Sequence, residues 1–281
     1  MEKIWFITGC SGGFGKLLAE AAAARGDKVV ATARNVTTLK ELHQRYPDTV
    51  RTVALDVTRA DSIASAVADA EAAFGRLDVL VNNAGHGFLG AIEEGTADEY
   101  RPLFDVNVFG LIEMTRAALP LMRRTNGGRI VNLSSGAGII GMGGHGYYNA
   151  TKFAVEGLSE ALAEEVAPLG IRVIIVEPGP FRTEFLGRSI TVAKQQIEAY
   201  SATGGGARVY REGNDGRQPG DPHKAVAIMM QAIDAGDPPL HLPIGPRAYA
   251  LAERKLAAFK ADMEAWRGVA IATDFSSSEG H

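Results

Sequence analysis

Little in this chain suits an oxidising or membranous setting. One cysteine, Cys10, stands among 281 residues, so no internal disulfide can form and the cytoplasm is the expected location. No apolar run approaches the ~18 residues of a bilayer span. The sequence enters a strand pattern at once, Lys3-Ile4-Trp5-Phe6-Ile7-Thr8, with no secretory leader in view. The formal net charge of −4 gives no reason to expect nucleic acid or membrane as a partner. His86 and His145 stand alone without metal-ligand spacing, so no metal is expected. No GxSxG elbow with a following acid and histidine is present, which excludes the common serine-hydrolase arrangement. The short clusters Arg123-Arg124 and Arg254-Lys255 read as solvated helix faces.

What is present is an alternation of two periods. Strand-like runs cover Ile4–Thr8, Lys28–Ala33, Val50–Leu55, Val79–Val81, Arg129–Leu133 and Ile171–Val176. Amphipathic stretches lie between them at about 14–25, 37–45, 60–74, 97–124 and 147–168. Runs such as Val173-Ile174-Ile175-Val176 are continuously apolar, the mark of strands buried on both faces. Repeated βα units then predict an α/β fold: a Rossmann-type, doubly wound parallel sheet in a single domain over 1–281. After about residue 185 the texture changes. Thr203-Gly204-Gly205-Gly206 and Asn214-Asp215-Gly216-Arg217-Gln218-Pro219-Gly220 read as loops around a weak helix near 190–200. Helices near 222–235 and 247–266 follow, and the tail from about 274 to 281 reads as frayed.

Two stretches carry chemistry. Thr8-Gly9-Cys10-Ser11-Gly12-Gly13-Phe14-Gly15 follows the first strand and opens the first helix. Gly9 permits a tight turn, Gly13 lets backbone approach a pyrophosphate, and Gly15 lets helix and strand pack closely. The helix N-terminus offers unpaired N–H groups and a positive dipole end. Cys10 in this loop reads as a small residue in a tight turn, with a reactive thiol as the other reading. The second stretch is Ser135 with Tyr148-Asn149-Ala150-Thr151-Lys152. On a helix, Lys152 lies one turn from Tyr148. An ammonium there favours the phenolate of a group that otherwise titrates near ~10. Ser135 ends a buried strand thirteen residues earlier, where α/β folds gather chemistry.

The glycine spacing is TGxxxGxG. Together with Asn82-Asn83-Ala84-Gly85, Asn107, Ser135, Tyr148, Lys152 and Pro178-Gly179 in that order, it resembles the compact single-domain branch of the short-chain dehydrogenase/reductase family, over about residues 3–183. The resemblance implies an NAD(P)-dependent oxidoreductase interconverting a carbonyl compound and an alcohol. Tyr148 would be the general acid or base, Lys152 would lower its pKa and hold the nicotinamide ribose, and Ser135 would hydrogen-bond the substrate oxygen. Asn107 would bend its helix around a water linking Lys152 to solvent. The cofactor would contact Gly9, Ser11, Gly13, Phe14, Gly15, Asp56, Val57, Asn83, Ala84, Gly85, Tyr148, Lys152, Pro178, Gly179 and Thr183. Asp56 has a second reading as a helix-cap residue. Met142 and Phe181 would line the substrate pocket, with His86 and His145 as polar contacts.

The second strand, Val29-Val30-Ala31-Thr32-Ala33-Arg34, ends on a guanidinium where an NAD-binding fold usually places an acid. Arg34 suits a 2′-phosphate, so NADP(H) is the expected cofactor. Gly12 stands where many NADP-using members carry a second base, which leaves room for NAD(H). The segment at about 185–220, opening with Phe185, Leu186 and Ile190, is expected to form a C-terminal substrate lid with a loose glycine centre. Leu111, Met114, Leu119 and Met122 put apolar residues on more than one side of 97–124, which with the resemblance predicts a homodimer or homotetramer. Two other functional classes remain: a non-catalytic dinucleotide sensor, and an isomerase or lyase using transient oxidation.

Overall fold

The structure is a computed structural model that describes residues 2–125 and 127–275. The chain opens with β1 (Ile4–Ile7), α1 (Gly13–Ala24), β2 (Lys28–Ala33), α2 (Lys40–Arg45), β3 (Val50–Ala54), α3 (Ala60–Phe74), β4 (Val79–Asn82) and β5 (Gly87–Leu89). It continues with α4 (Ala97–Phe104), α5 (Gly110–Arg123), β6 (Gly128–Leu133), α6 (Gly136–Ile139), α7 (Gly146–Val166) and β7 (Ile171–Pro178). The last elements are β8 (Ile190–Val192), α8 (Gly204–Asn214), α9 (Pro222–Asp234), β9 (His241–Ile244) and α10 (Pro246–Ala270).

Seven parallel strands form one sheet in the order β3-β2-β1-β4-β6-β7-β9. The six strands expected from the sequence are all in it, and β9 joins beyond β7 with Ile175 opposite His241. β1, β4 and the last four residues of β6 are wholly buried, which is why their sequence is apolar without alternation except at Asn82 and Asn132, where Asn82 Nδ2 donates to Asn132 Oδ1. One face packs on α1 and α9 through Leu18, Ala22, Val226, Met229 and Ile233. The other packs on α3, α5 and α7 through Ile63, Ala66, Met114, Met122 and Val166. The sheet order reverses at β1, whose neighbours are β2 and β4, so the ends of these two strands flank the crevice where α/β sheets bind ligands.

Three expectations need correction. The weak helix near 190–200 is instead β8, paired in parallel with β5 through Gly87–Ile190, Phe88–Thr191 and Leu89–Val192, followed by one 3₁₀ turn at Glu198–Tyr200. The glycine run expected to be a loop begins helix α8. Close approach explains that composition: a Cβ at Gly204 would lie 3.0 Å from both the Ala91 amide and Glu94 Oε2. Third, Leu111, Met114 and Met122 are buried inside the single chain and Leu119 packs against the same core, so they do not argue for a second subunit.

The helical pattern over 97–124 is α4 and α5 joined by a π-helical turn, Asp105–Phe109. No helix among the described residues is long and apolar enough to cross a membrane. The expected tail lies mostly outside the described residues.

Candidate active site

Gly9 and Gly13 take positive φ, +73° and +55°, so only glycine follows this turn without strain. A Cβ at Gly15 would lie 2.4 Å from Asn83 Nδ2 and 2.5 Å from the Gly9 carbonyl oxygen. The reason for Gly15 is therefore a staple: Asn83 Nδ2 donates to the carbonyls of Thr8 (2.9 Å) and Gly9 (3.0 Å). Thr8 Oγ1 accepts from the amides of Asn83 and Ala84. Asn83 and Ala84 thus hold the loop in shape from the end of β4.

The loop meets the requirement for an anionic ligand. No side chain of its own caps α1. Instead the Gly13 amide donates to Glu184 Oε2 at 3.1 Å, so a carboxylate sits where a helix N-terminus attracts phosphate. Beside it Arg188 donates to the Ser11 carbonyl at 3.0 Å. Thr183 adjoins Gly13, and Phe14 packs edge-on against Phe181 at 5.6 Å. Arg34 is exposed at the end of β2. Val57 packs against Gly110. Asp56 Oδ1 accepts from the Thr58 amide and hydroxyl, the turn that leads into α3, and those bonds hold its carboxyl below the usual range. Asp56 does not cap α3, whose N-cap is Arg59 with no side-chain cap bond. Cys10 is buried, and burial pushes its thiol up to about 12, which removes the reactive reading.

Ser135 stands at the end of β6 as the N-cap of α6, its Oγ accepting from the Ala137 amide at 3.1 Å. Tyr148 and Lys152 lie on α7, buried and one turn apart. Ser135 stands beside the Tyr148 phenol and acts against the rise in its pKa. Asn107 sits inside the π-helical turn, and its Nδ2 donates to the His86 carbonyl (2.8 Å) and to Thr151 Oγ1 (3.2 Å). The extra residue of that turn aims Asn107 inward and bends the helix there. A Cβ at Gly85 would lie 3.1 Å from Asn107 Oδ1, so Gly85 leaves that side chain its room.

The expected effect of Lys152 on Tyr148 is not the dominant one. Burial pushes the phenol up to about 12, opposed by the neighbouring Ser135 hydroxyl. Burial pushes Lys152 down to about 8, opposed by the charge of Glu156. The ammonium donates to the Leu133 carbonyl at 2.6 Å and lies 5.7 Å from the centroid of the phenol ring.

Behind Lys152 lies an acid cluster absent from the sequence reading. Glu156 hydrogen-bonds Ser134. Glu177, on β7, bonds His241 Nδ1 at 2.9 Å, and the same nitrogen lies 3.6 Å from Glu156 Oε2. Burial and the neighbouring Glu177 charge raise Glu156 to about 7. Two signals were available. Glu156 continues the Tyr148–Lys152 face by one more turn, and Glu177 interrupts an apolar strand.

Phe88, Leu103, Ala137, Tyr148 and Ala193 form a separate apolar cluster, with Met142, Tyr147 and Phe185 packed on it. Met142 thus packs on the cluster that contains Tyr148. Phe181 belongs to the core under α1 and α9, and Phe185 lies at the phenol instead, ring centroids 5.8 Å apart. His86 and His145 are half-buried, and desolvation lowers both pKa values. Pro178 and Gly179 end β7; the Gly179 amide donates to the Ile244 carbonyl, and α10 begins against it.

Residues 3–192 match the family described as short chain dehydrogenase. Oxidoreductase BOA17 of Botryotinia fuckeliana is 37% identical over 274 residues, covering 97% of this chain and all of the relative. A 3-ketodihydrosphingosine reductase of Bacteroides thetaiotaomicron is 38% identical over 245 residues, covering 87% and 88%. A solved short-chain dehydrogenase from Streptomyces avermitilis has a TM-score of 0.92 at 44% identity, covering 98% of this chain and 100% of that one.

Proposed function

The chain belongs to the short-chain dehydrogenase/reductase family and is an NAD(P)-dependent oxidoreductase; from that premise we propose that it reduces a ketone, or oxidises the matching secondary alcohol, on an apolar small molecule, with NADP(H) as cofactor. The observation that carries this reading is the buried Tyr148 phenol, with Ser135 beside it, in an apolar cluster that includes Phe88, Leu103, Met142 and Phe185. Such a wall favours hydrophobic carbonyl compounds over small charged acids. The relative named as a 3-ketodihydrosphingosine reductase supports the reaction type, because its name states action on a ketone.

Bound nicotinamide supplies or accepts the hydride. The chain's own residues do the rest. Ser135 and Tyr148 place two hydroxyl donors at the carbonyl oxygen, in a site dry enough for both to matter. Tyr148 gives its proton to the developing alkoxide in reduction and takes it back in oxidation. A phenol raised to about 12 is a poor base at neutral pH. Release of Lys152 from the Leu133 carbonyl toward the phenol would lower it, each unit being worth ~1.4 kcal/mol. Asn107 holds the turn through which Lys152 would exchange protons with solvent. Arg34, with no acid at the end of β2, is our candidate reader of the 2′-phosphate.

Gly9, Gly13, Gly15, Asn83, Ala84, Gly85 and Thr183 would hold the dinucleotide, and Glu184 would give way to its phosphate. We read 185–220 as a lid, since α8 approaches Gly144 closely and β8 feeds Ala193 into the apolar wall. A cytoplasmic setting is consistent with one buried cysteine. The test is a panel of apolar cyclic and aliphatic ketones and small keto acids, read by NADPH and NADH absorbance. NADPH turnover with apolar ketones is expected. Turnover confined to keto acids, or none at all with either cofactor, would end the proposal.

A further inference from the structure

Helix α10 leaves the body of the protein after two turns. Of its residues only Ala248 and Leu251 are buried, and every residue from Leu256 to Ala270 is exposed. Yet this part is not polar all round. Leu256, Phe259, Met263 and Trp266 are 70%, 58%, 54% and 69% exposed, and they recur at spacings of three, four and three. Tyr249, Ala252 and Ala270 extend the same spacing at both ends. This is a heptad seam over three repeats, the pattern of a helix that packs its knobs into another helix. Isolated helices of this length are marginal in water, so a projecting one needs cover. Val269 flanks the seam, and with Tyr249 the exposed apolar side chains together present on the order of 700 Å², close to the ~800 Å² that each partner buries in a stable interface. A patch of that size is larger than most monomers leave in water.

We infer that this face pairs with the same face of a second copy of the chain, the two α10 helices running antiparallel. The seam asks for a helix of matching repeat, and a two-fold pair supplies it from the same sequence. One flank of the seam carries Glu253, Lys260 and Arg267 at seven-residue intervals, so its charge runs from negative to positive along the helix. Antiparallel pairing sets each Glu253 near the partner's Arg267, whereas parallel pairing gathers the two Arg267 side chains at one end. The helix carries acids beside its bases, Glu253, Asp262 and Glu264 among them, which disfavours an anionic membrane as the occupant. The patch continues at the root, where Lys255 lies over both Phe153 of α7 and Phe259 at 5.9 Å. That root packs on functional loops. A Cβ at Gly136 would lie 2.9 Å from Leu251, and one at Gly179 would lie 3.3 Å from the Ala248 amide. Pairing would therefore brace the turn that follows Ser135 and the end of β7.

The full chain, 29.8 kDa, is to be run in sedimentation velocity at micromolar concentration beside Phe259→Asp/Trp266→Asp. The double variant should show half the wild-type mass with an unchanged circular dichroism spectrum, since both side chains are exposed in the single chain. Trp5 is fully buried, so acrylamide quenching of wild-type fluorescence reports Trp266 and should rise on dilution. Cys10 is the chain's lone cysteine and is buried, so Lys260→Cys should oxidise to a covalent dimer while Glu253→Cys should not. Four results would overturn the pairing: an unchanged mass in the double variant, quenching independent of concentration, cross-linking at 253 rather than 260, or wild-type protein of ~30 kDa that floats with phosphatidylcholine–phosphatidylserine vesicles.

Discussion

Arg208→Ala should unlatch the segment that carries α8 while leaving the sheet intact. Glu94 is fully buried, and the Arg208 guanidinium on α8 grips it at 2.7 and 3.3 Å. The amides of Ala91 (2.8 Å) and Ile197 (2.9 Å) donate to the same carboxylate. Removing one partner of a buried pair costs about 3–5 kcal/mol, and the two remaining amides put the figure near the lower end. α8 buries only Gly204 and Ala207, so the loss falls on its own docking and not on the core. At ~1.4 kcal/mol per tenfold, ~3 kcal/mol makes local opening roughly 100-fold more frequent. Hydrogen exchange read by mass spectrometry should show that acceleration in peptides over 193–214 and none in β1, β4 or β6. Because a carboxylate left alone accounts for most of the cost, Glu94→Gln/Arg208→Met should exchange much more slowly than Arg208→Ala. The guanidinium holds Glu94 down at about 2, below its unfolded value of 4.5. The pair's stabilisation is thus complete above 4.5 and is lost as pH falls from there through about 2. Exchange over 193–214 unchanged in Arg208→Ala, or equally fast in β1 and β6, would show that this pair is not the latch.

Three further outcomes test the site. Tyr148→Phe should lower kcat by at least ~100-fold while leaving the Kd for NADPH within about twofold, because the ring keeps its packing and only the proton donor is lost; a near-wild-type kcat would sink the assignment. Arg34→Ala should raise KM for NADPH roughly 10- to 100-fold more than for NADH, the worth of about 1.5–3 kcal/mol in a charge-assisted contact; equal effects would show that Arg34 does not read the phosphate. Glu156 faces Lys152, Ser134, Glu177 and His241, and its folded pKa of about 7 stands above its unfolded 4.5, so its contribution to stability declines as pH rises from 4.5 through 7 and is level beyond. The urea midpoint should therefore drop more between pH 5 and pH 8 in wild type than in Glu156→Gln, and identical drops would remove Glu156 as the cause.

Legibility in the sequence followed the range of the forces involved. The five inner strands could be read because burial on both faces selects apolar side chains, as in Val79-Leu80-Val81. The glycine loop could be read because a positive φ at Gly9 and Gly13 admits little else. β8 could not. Ile190-Thr191-Val192 is too short to announce a strand, and it becomes one only by pairing with Gly87–Leu89 a hundred residues earlier. The glycine run at 204–206 misled for a related reason. Glycine argues against a helix locally, but Gly204 is there so that α8 can touch Ala91 and Glu94. β9 hid behind Pro243 in a four-residue edge strand.

At Tyr148 and Lys152 the sequence showed who the neighbours are without showing which field wins. Four-residue spacing places an ammonium beside a phenol, and in water that arrangement alone would favour the phenolate. Both groups are buried, however, and desolvation disfavours whichever form is charged. It therefore drives them in opposite directions, the phenol up to about 12 and the ammonium down to about 8. The two move toward neutrality together. Such a pair is a poor acid–base couple at rest and can become a good one when a small displacement of Lys152 exchanges the Leu133 carbonyl for the phenol. Ser135 and Glu156 bias it from either end, Ser135 by its hydroxyl beside the phenol and Glu156 by its charge on the ammonium. A spacing rule carries none of this, because burial is a property of the assembled α7, β6 and π-helical turn and not of the five residues that form the motif.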